Sequence, residues 1–304
     1  MELSRREMLI AAMASSVAGA ATGTVPQVQI GKWKVSRLMV GGNPVSGNSH
    51  VSGQLSREMT DYFTAARVKQ LLRDCEAAGI NTWQSRGDRH IMRLLNEYRL
   101  DGGGIQWIAQ TASEMADIPR NIDTIADMNP IGIYHHGSQT DKFWMSGRIE
   151  QAREMLRVIR QTGCLVGLGT HIPDVIDYVE SKGWDVDFYM TCLFNLSRTP
   201  EEASKLAGSP VQGELFWDPD REKMLARVRQ TAKPCLIFKV YAASRQCGST
   251  EQMLAALRLA ASYAKPTDCF VIGMFPKYKE QVRENCRLLT ESLHGTDTAS
   301  ASGG

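Results

Sequence analysis

Eight apolar runs, each followed by a helix-spaced pattern, succeed one another along most of the chain. This repetition limits the possible folds more than any single motif. The runs are Leu38 to Val40, Ile80 to Gln84, Ile105 to Gln110, Ile131 to His136, Leu165 to Gly169, Phe188 to Phe194, Cys235 to Val240 and Cys269 to Gly273. Between them lie segments such as Ala65 to Ala78, where Val68, Leu71, Leu72 and Cys75 recur at helical spacing. Strand followed by helix, repeated, predicts a parallel sheet, and eight repeats are the number that closes a barrel. The expected class is therefore α/β, a (β/α)8 TIM barrel, preceded by a short hairpin over 28–35 that turns near Gly31. An open doubly wound sheet fits less well. No G-x-G-x-x-G follows the first strand, and Gly41-Gly42-Asn43-Pro44 lacks that spacing.

With 304 residues the chain has room for one such barrel, placed at 26–293, with 294–304 read as a small, polar, disordered tail. Residues 1–25 read as an export signal. Ser4-Arg5-Arg6 precedes an alanine- and serine-rich apolar run, and Ala18-Gly19-Ala20 supplies a small-x-small cleavage site, an order that resembles a twin-arginine signal. The expected partner is then the twin-arginine export machinery, and the expected location periplasmic or otherwise extracytoplasmic. The run is too interrupted for a permanent membrane anchor. The formal charge of +2, from 35 basic and 33 acidic residues, gives no reason to expect nucleic acid. Seven scattered cysteines without a C-x-x-C pair predict no disulfide framework, and Cys192 reads as a small hydrophobe in an apolar run.

Function in such a barrel sits where the strands end at their C-termini. Alternation along each strand then sorts the candidates. In Gly132-Ile133-Tyr134-His135-His136, the isoleucine face suits packing under helices, so Tyr134 and His136 are expected to face inward. On the fifth strand Gly167, Gly169 and His171 fall inside. On the seventh, placing Leu236, Phe238 and Val240 outside leaves Lys239 and Tyr241 inside. Gln84 and Asn195 end the second and sixth strands. The expected mouth collects Gln84, His136, His171, Asn195 and Lys239, with Asp88 and His90 in a loop above it. A lysine there is notable because burying an ammonium costs several kcal/mol unless it is paired or deprotonated.

Several short motifs resemble the aldo-keto reductase superfamily: Lys34-Val35-Ser36-Arg37-Leu38 with Gly41, Ala78-Gly79-Ile80-Asn81-Thr82, Ile272-Gly273, and Glu280-Gln281-Val282-Arg283-Glu284-Asn285. The resemblance implies a carbonyl-reducing oxidoreductase using NADP, acting on a small carbonyl or sugar-like substrate. His136, Lys239 and Gln84 would be its catalytic groups. Asn195, Lys277, Lys279, Gln281 and Asn285 would meet the cofactor. The family's catalytic tetrad is largely missing, however. Gln84 stands at its aspartate, Arg89 at its tyrosine and Gln110 or Thr111 at its lysine, leaving only His136. Two alternatives stand beside it: a metal-dependent barrel enzyme with His136 and His171 as ligands, and a non-catalytic barrel that binds a small molecule.

Overall fold

In the computed structural model, residues 25–301 are described, with side chains from 25 to 294. Strands β1 (Gln27–Ile30) and β2 (Trp33–Ser36) pair antiparallel through a two-residue turn at Gly31 and Lys32. Eight parallel strands follow and close into a barrel: β3 (Leu38–Gly41), β4 (Thr82–Arg86), β5 (Gln106–Gln110), β6 (Gly132–His135), β7 (Leu165–Thr170), β8 (Phe188–Cys192), β9 (Cys235–Phe238) and β10 (Cys269–Gly273). Strand β10 closes the ring on β3 through the register Phe270↔Leu38 to Gly273↔Gly41. The fold is the (β/α)8 barrel with a hairpin that the eight-fold repeat predicts.

Helices α1 (Gly53–Tyr62) and α2 (Ala65–Ala77) follow β3, α3 (Arg89–Leu100) follows β4, and α4 (Ile118–Ala126) follows β5. Helices α5 (Gly137–Met145) and α6 (Glu150–Gln161) follow β6, and α7 (Pro173–Ser181) follows β7. Helices α8 (Pro200–Ala207) and α9 (Pro219–Gln230) follow β8, α10 (Thr250–Tyr263) follows β9, and α11 (Val282–Ala301) comes last. Helices α1, α5 and α8 are additions that the apolar pattern does not announce. Asp88, read as a loop group above the mouth, is the N-cap of α3 and accepts from Ile91 N at 2.9 Å. No helix among the described residues is long and apolar enough to cross a membrane. The twin-arginine reading falls on residues outside those described.

Two apolar layers result from the alternation. Trp83, Trp107, Ile133, Val166, Leu168 and Ile237 pack outward under the helices. Met39, Ile108, Tyr134, Phe188, Met190, Leu236 and Val271 fill the barrel's interior, joined at its lower end by Ile30 and Val35 of the hairpin. Phe188 fits only because β6 and β7 carry glycine beside it. A Cβ on Gly167 would lie 2.3 Å from Phe188 Cζ and 2.6 Å from Tyr134 Cβ, with neither ring free to retreat. Gly167→Ala is therefore expected to cost at least ~1–3 kcal/mol by overpacking. A chemical-denaturation midpoint unchanged from the wild type would contradict this.

Candidate active site at the strand ends

Strand β9 shows how the mouth departs from simple alternation. Leu236 belongs to the interior layer, and Phe238 packs against both layers, while Cys235 and Ile237 face the helices. This reverses the face assignment made from sequence. Lys239 still reaches the mouth, because its backbone turns left-handed there (φ +60°) and the alternation breaks. Ala242, Ala243 and Ser244 in the same loop, and His50 in the loop after β3, are also left-handed. Such conformations strain residues other than glycine and persist only where the surroundings enforce them.

Lys239 is 93% buried by side chain, its exposure being 7%. Its Nζ has no hydrogen-bond partner and lies 3.9 Å from Glu214 Oε2. Burial pushes its pKa down, Arg245 adds to that, and Cys192 and Glu214 oppose it. Glu214 accepts from His50 Nδ1 at 2.8 Å. Burial tends to raise the Glu214 carboxyl, but His50 and Lys239 outweigh it and hold the group below the usual range. Lys239, His50, Gln84 and Phe238 line a cavity of about 250 Å³ that continues past Gly273 to Lys279, Gln281 and Asn285. Gln84 donates its amide to the Tyr134 hydroxyl at 2.7 Å, inside the barrel, and burial raises the Tyr134 pKa.

A second constellation lies on the β6–β8 side. Asp141, on α5, is fully buried and accepts from Thr170 Oγ1 (2.5 Å), His171 N (3.1 Å), His171 Nδ1 (2.6 Å) and Ser197 Oγ (2.6 Å). The bond to Nδ1 fixes the ring and leaves Nε2 free of the carboxylate. Burial works against a charge on His171, but Cys192 beside it and the Asp141 carboxylate outweigh that and lift its pKa to about 10. Cys192 ends β8 opposite Phe238, the residue before Lys239, and acts electrostatically on both the imidazole and the amine. His136 occupies the N-cap position of α5, and its Nδ1 is buried without a partner. Burial, His171 and Arg86 push its pKa down to about 4, so it is neutral near pH 7. His135 turns away, bonding Thr140 Oγ1 at 2.8 Å and stacking on Phe143.

The structure thus divides the residues expected from sequence. Gln84 and Lys239 share the first cavity, with Lys279, Gln281 and Asn285 at its far end. His171 and Asn195 line a separate cleft of about 570 Å³ with Arg198 and Asp220. Lys277 stands outside both, paired with Glu58 at 2.6 Å. Lys279 pairs with Glu284 at 2.8 Å, Gln281 accepts from Phe275 N at 2.7 Å, and Asn285 accepts from the Tyr241 hydroxyl at 2.9 Å. Among the described residues no group of three or more His, Cys, Asp or Glu side chains is arranged to hold a metal ion.

Asp141, Glu214 and Arg86 were not among the residues expected at the site, and Cys192 was read only as a small hydrophobe. Alternation along β8, from Phe188 through Met190, puts Cys192 inside, and alternation from Gln84 does the same for Arg86. Those two were findable. Asp141 rides on an unannounced helix and Glu214 on a long irregular loop, and neither carries a local signal.

No family model matches the sequence, and no curated protein matches it. Solved structures do resemble it in shape. A truncated 3-deoxy-D-arabino-heptulosonate 7-phosphate synthase from Thermotoga maritima aligns over 91% of this chain and 94% of that one, at 11% identity and a TM-score of 0.55. The Amycolatopsis orientalis BexX/CysO complex aligns over 92% and 97%, at 12% identity and 0.51. Gox0644 in its apo form aligns over 90% and 93%, at 7% identity and 0.54. At such identities the likeness is one of fold, and it defines this chain as a (β/α)8 barrel with a charged, strained mouth.

These findings correct the aldo-keto reductase assignment, and with it the oxidoreductase expectation that followed. No family model supports it, and the chain aligns with a heptulosonate synthase along nearly its whole length. The physical reason is that the quoted motifs are an apolar strand ending in glycine and a polar helix start. Those features serve any closed parallel barrel.

Proposed function

We propose that the chain is a barrel enzyme acting on a small carbonyl compound at the strand ends, with Lys239 as the reacting amine. The observation that carries this reading is Lys239, whose Nζ is buried without a hydrogen-bond partner and whose side chain belongs to the wall of the 250 Å³ cavity. An amine so placed is held toward its neutral, nucleophilic form, which is how lysines in low-dielectric sites are activated toward carbonyls. The neutral amine adds to the carbonyl carbon. The resulting carbinolamine then loses the former carbonyl oxygen as water, leaving a C=N bond to Nζ. Once protonated, that imine withdraws electrons from the adjacent carbon, which suits proton transfer or C–C bond cleavage there. Gln84 lines the same cavity, and the His171–Asp141 pair holds a fixed imidazole in the neighbouring cleft.

The reading is tested by borohydride reduction of the full-length protein with dihydroxyacetone, glyceraldehyde or pyruvate, followed by peptide mass spectrometry. A reduced adduct is expected on Lys239 ahead of all surface lysines, and absent in Lys239→Met. If no probe labels Lys239, the amine chemistry is overturned and a non-catalytic binding barrel becomes the better account.

A further inference from the structure

We propose that the Lys239 end of the cavity is an anion subsite occupied by the chain's own Glu214, and that the ligand carries a carboxylate or phosphate that takes Glu214's place. The inference rests on the reading above only for the carbonyl part of the ligand.

Three basic side chains from two loops converge there. His50 comes from the loop after β3, and Lys239 and Arg245 from the loop after β9. Arg245 sits over the Phe216 ring at 4.0 Å and donates to the carbonyls of His50 (3.1 Å) and Ala242 (3.2 Å). No carboxylate lies within ion-pair distance of it among the described residues. Lys239 approaches the same ring, at 5.4 Å. Against this group stands one carboxylate, Glu214, on the irregular segment between α8 and α9.

Glu214 satisfies His50 and does not satisfy Lys239. Its bonds to His50 Nδ1 are 2.8 and 3.0 Å, whereas 3.9 Å to Lys239 Nζ is beyond hydrogen-bonding distance. Glu214 therefore offsets the charge of Lys239 without accepting its hydrogens. It is also the movable member, being 34% exposed on a loop while Lys239 is 7% exposed on a strained turn. Carboxylate and phosphate oxygens both form short, charge-assisted bonds with ammonium and imidazolium donors. A ligand anion beside Lys239 meets the positive charge that Glu214 only partly offsets, carried by the ammonium before reaction and by the protonated imine after it, and Glu214 swings toward solvent.

Calorimetric titration of the wild type and of Glu214→Gln with sodium phosphate, sodium acetate and uncharged dihydroxyacetone tests this. If Glu214 is displaced about a tenth of the time, its neutralisation tightens anion binding ~10-fold, while dihydroxyacetone binds both proteins equally. A gain for phosphate alone assigns a phosphorylated ligand, and a gain for acetate alone a carboxylate. Unchanged or weaker anion binding in Glu214→Gln, or an equal gain for the uncharged probe, overturns the subsite. Adduct formation on Lys239 without the anion gain removes the subsite and leaves the amine chemistry. The anion gain without an adduct does the reverse.

Discussion

Asp141→Asn will unfold more readily than the wild type by on the order of 3–5 kcal/mol, the cost of stripping one partner from a buried ionic pair. The carboxylate is fully buried and accepts four hydrogen bonds, two of them from His171. Asparagine keeps the shape but brings an NH2 group that must face at least one of those donors. The His171 pKa, lifted to about 10, is then expected to fall, because the Asp141 carboxylate is one of the groups that oppose the effect of burial. The sign of the pH dependence follows. His171 binds its proton more tightly folded than unfolded, so its stabilisation is complete below about 6.5 and is lost as pH rises through about 10. The gap in denaturation midpoint between wild type and Asp141→Asn should be wide at pH 6 and narrower above pH 10. Equal midpoints at pH 6, or a His171 ring signal in nuclear magnetic resonance that titrates alike in both proteins, would refute the assignment.

Lys239→Met is expected to act in opposite directions on stability and function. Methionine removes an ammonium that lacks a hydrogen-bond partner and lies in a mostly apolar recess, while filling similar volume. Replacing a buried ion pair by well-packed hydrophobes is often neutral or stabilising by ~1–4 kcal/mol, and here only the member without a hydrogen bond is replaced. Glu214 keeps its bond to His50, so no carboxylate is stranded. The denaturation midpoint should therefore rise, while borohydride-dependent labelling disappears. The wild-type penalty also has a pH signature. Lys239 holds its proton less tightly folded than unfolded, so stability from this group increases as pH climbs toward 10.5, opposite in sign to His171. A midpoint that falls in Lys239→Met would show that the amine is a structural ion-pair partner and not a strained functional group.

The barrel was legible because its signal is repeated. Eight apolar strands and eight periodic helices each err by a residue or two, yet together admit few architectures. The site was legible only where alternation holds to the strand end. It places Gln84 correctly and separates His135 from His136. It fails at β9, where Lys239 reaches the mouth through a left-handed turn after a strand of the opposite face. A positive φ at lysine has no sequence signature, so the residue was found through an assignment that the backbone contradicts. Asp141 and Glu214 were invisible for a related reason. Their roles depend on tertiary proximity to His171 and His50, and both ride on segments without an apolar rhythm. The family resemblance misled because its motifs encode barrel closure, which unrelated barrels share.

The amino-terminal hairpin gives the cavity a kinetic character. Ile30 and Val35 fill the lower end of the barrel, and Gly31 lies so close to β7 that a Cβ there would be 2.9 Å from Leu165. With the interior layer packed above that plug, the barrel is solid beneath the cavity, which is a well open toward the strand ends. Whatever enters across the strand ends must back out by the same route, and nothing can be expelled from behind by the next arrival. A reaction product held in that well competes directly with fresh substrate. Turnover would then be throttled by traffic at the entrance, and rising product concentration would raise the apparent KM while leaving kcat untouched.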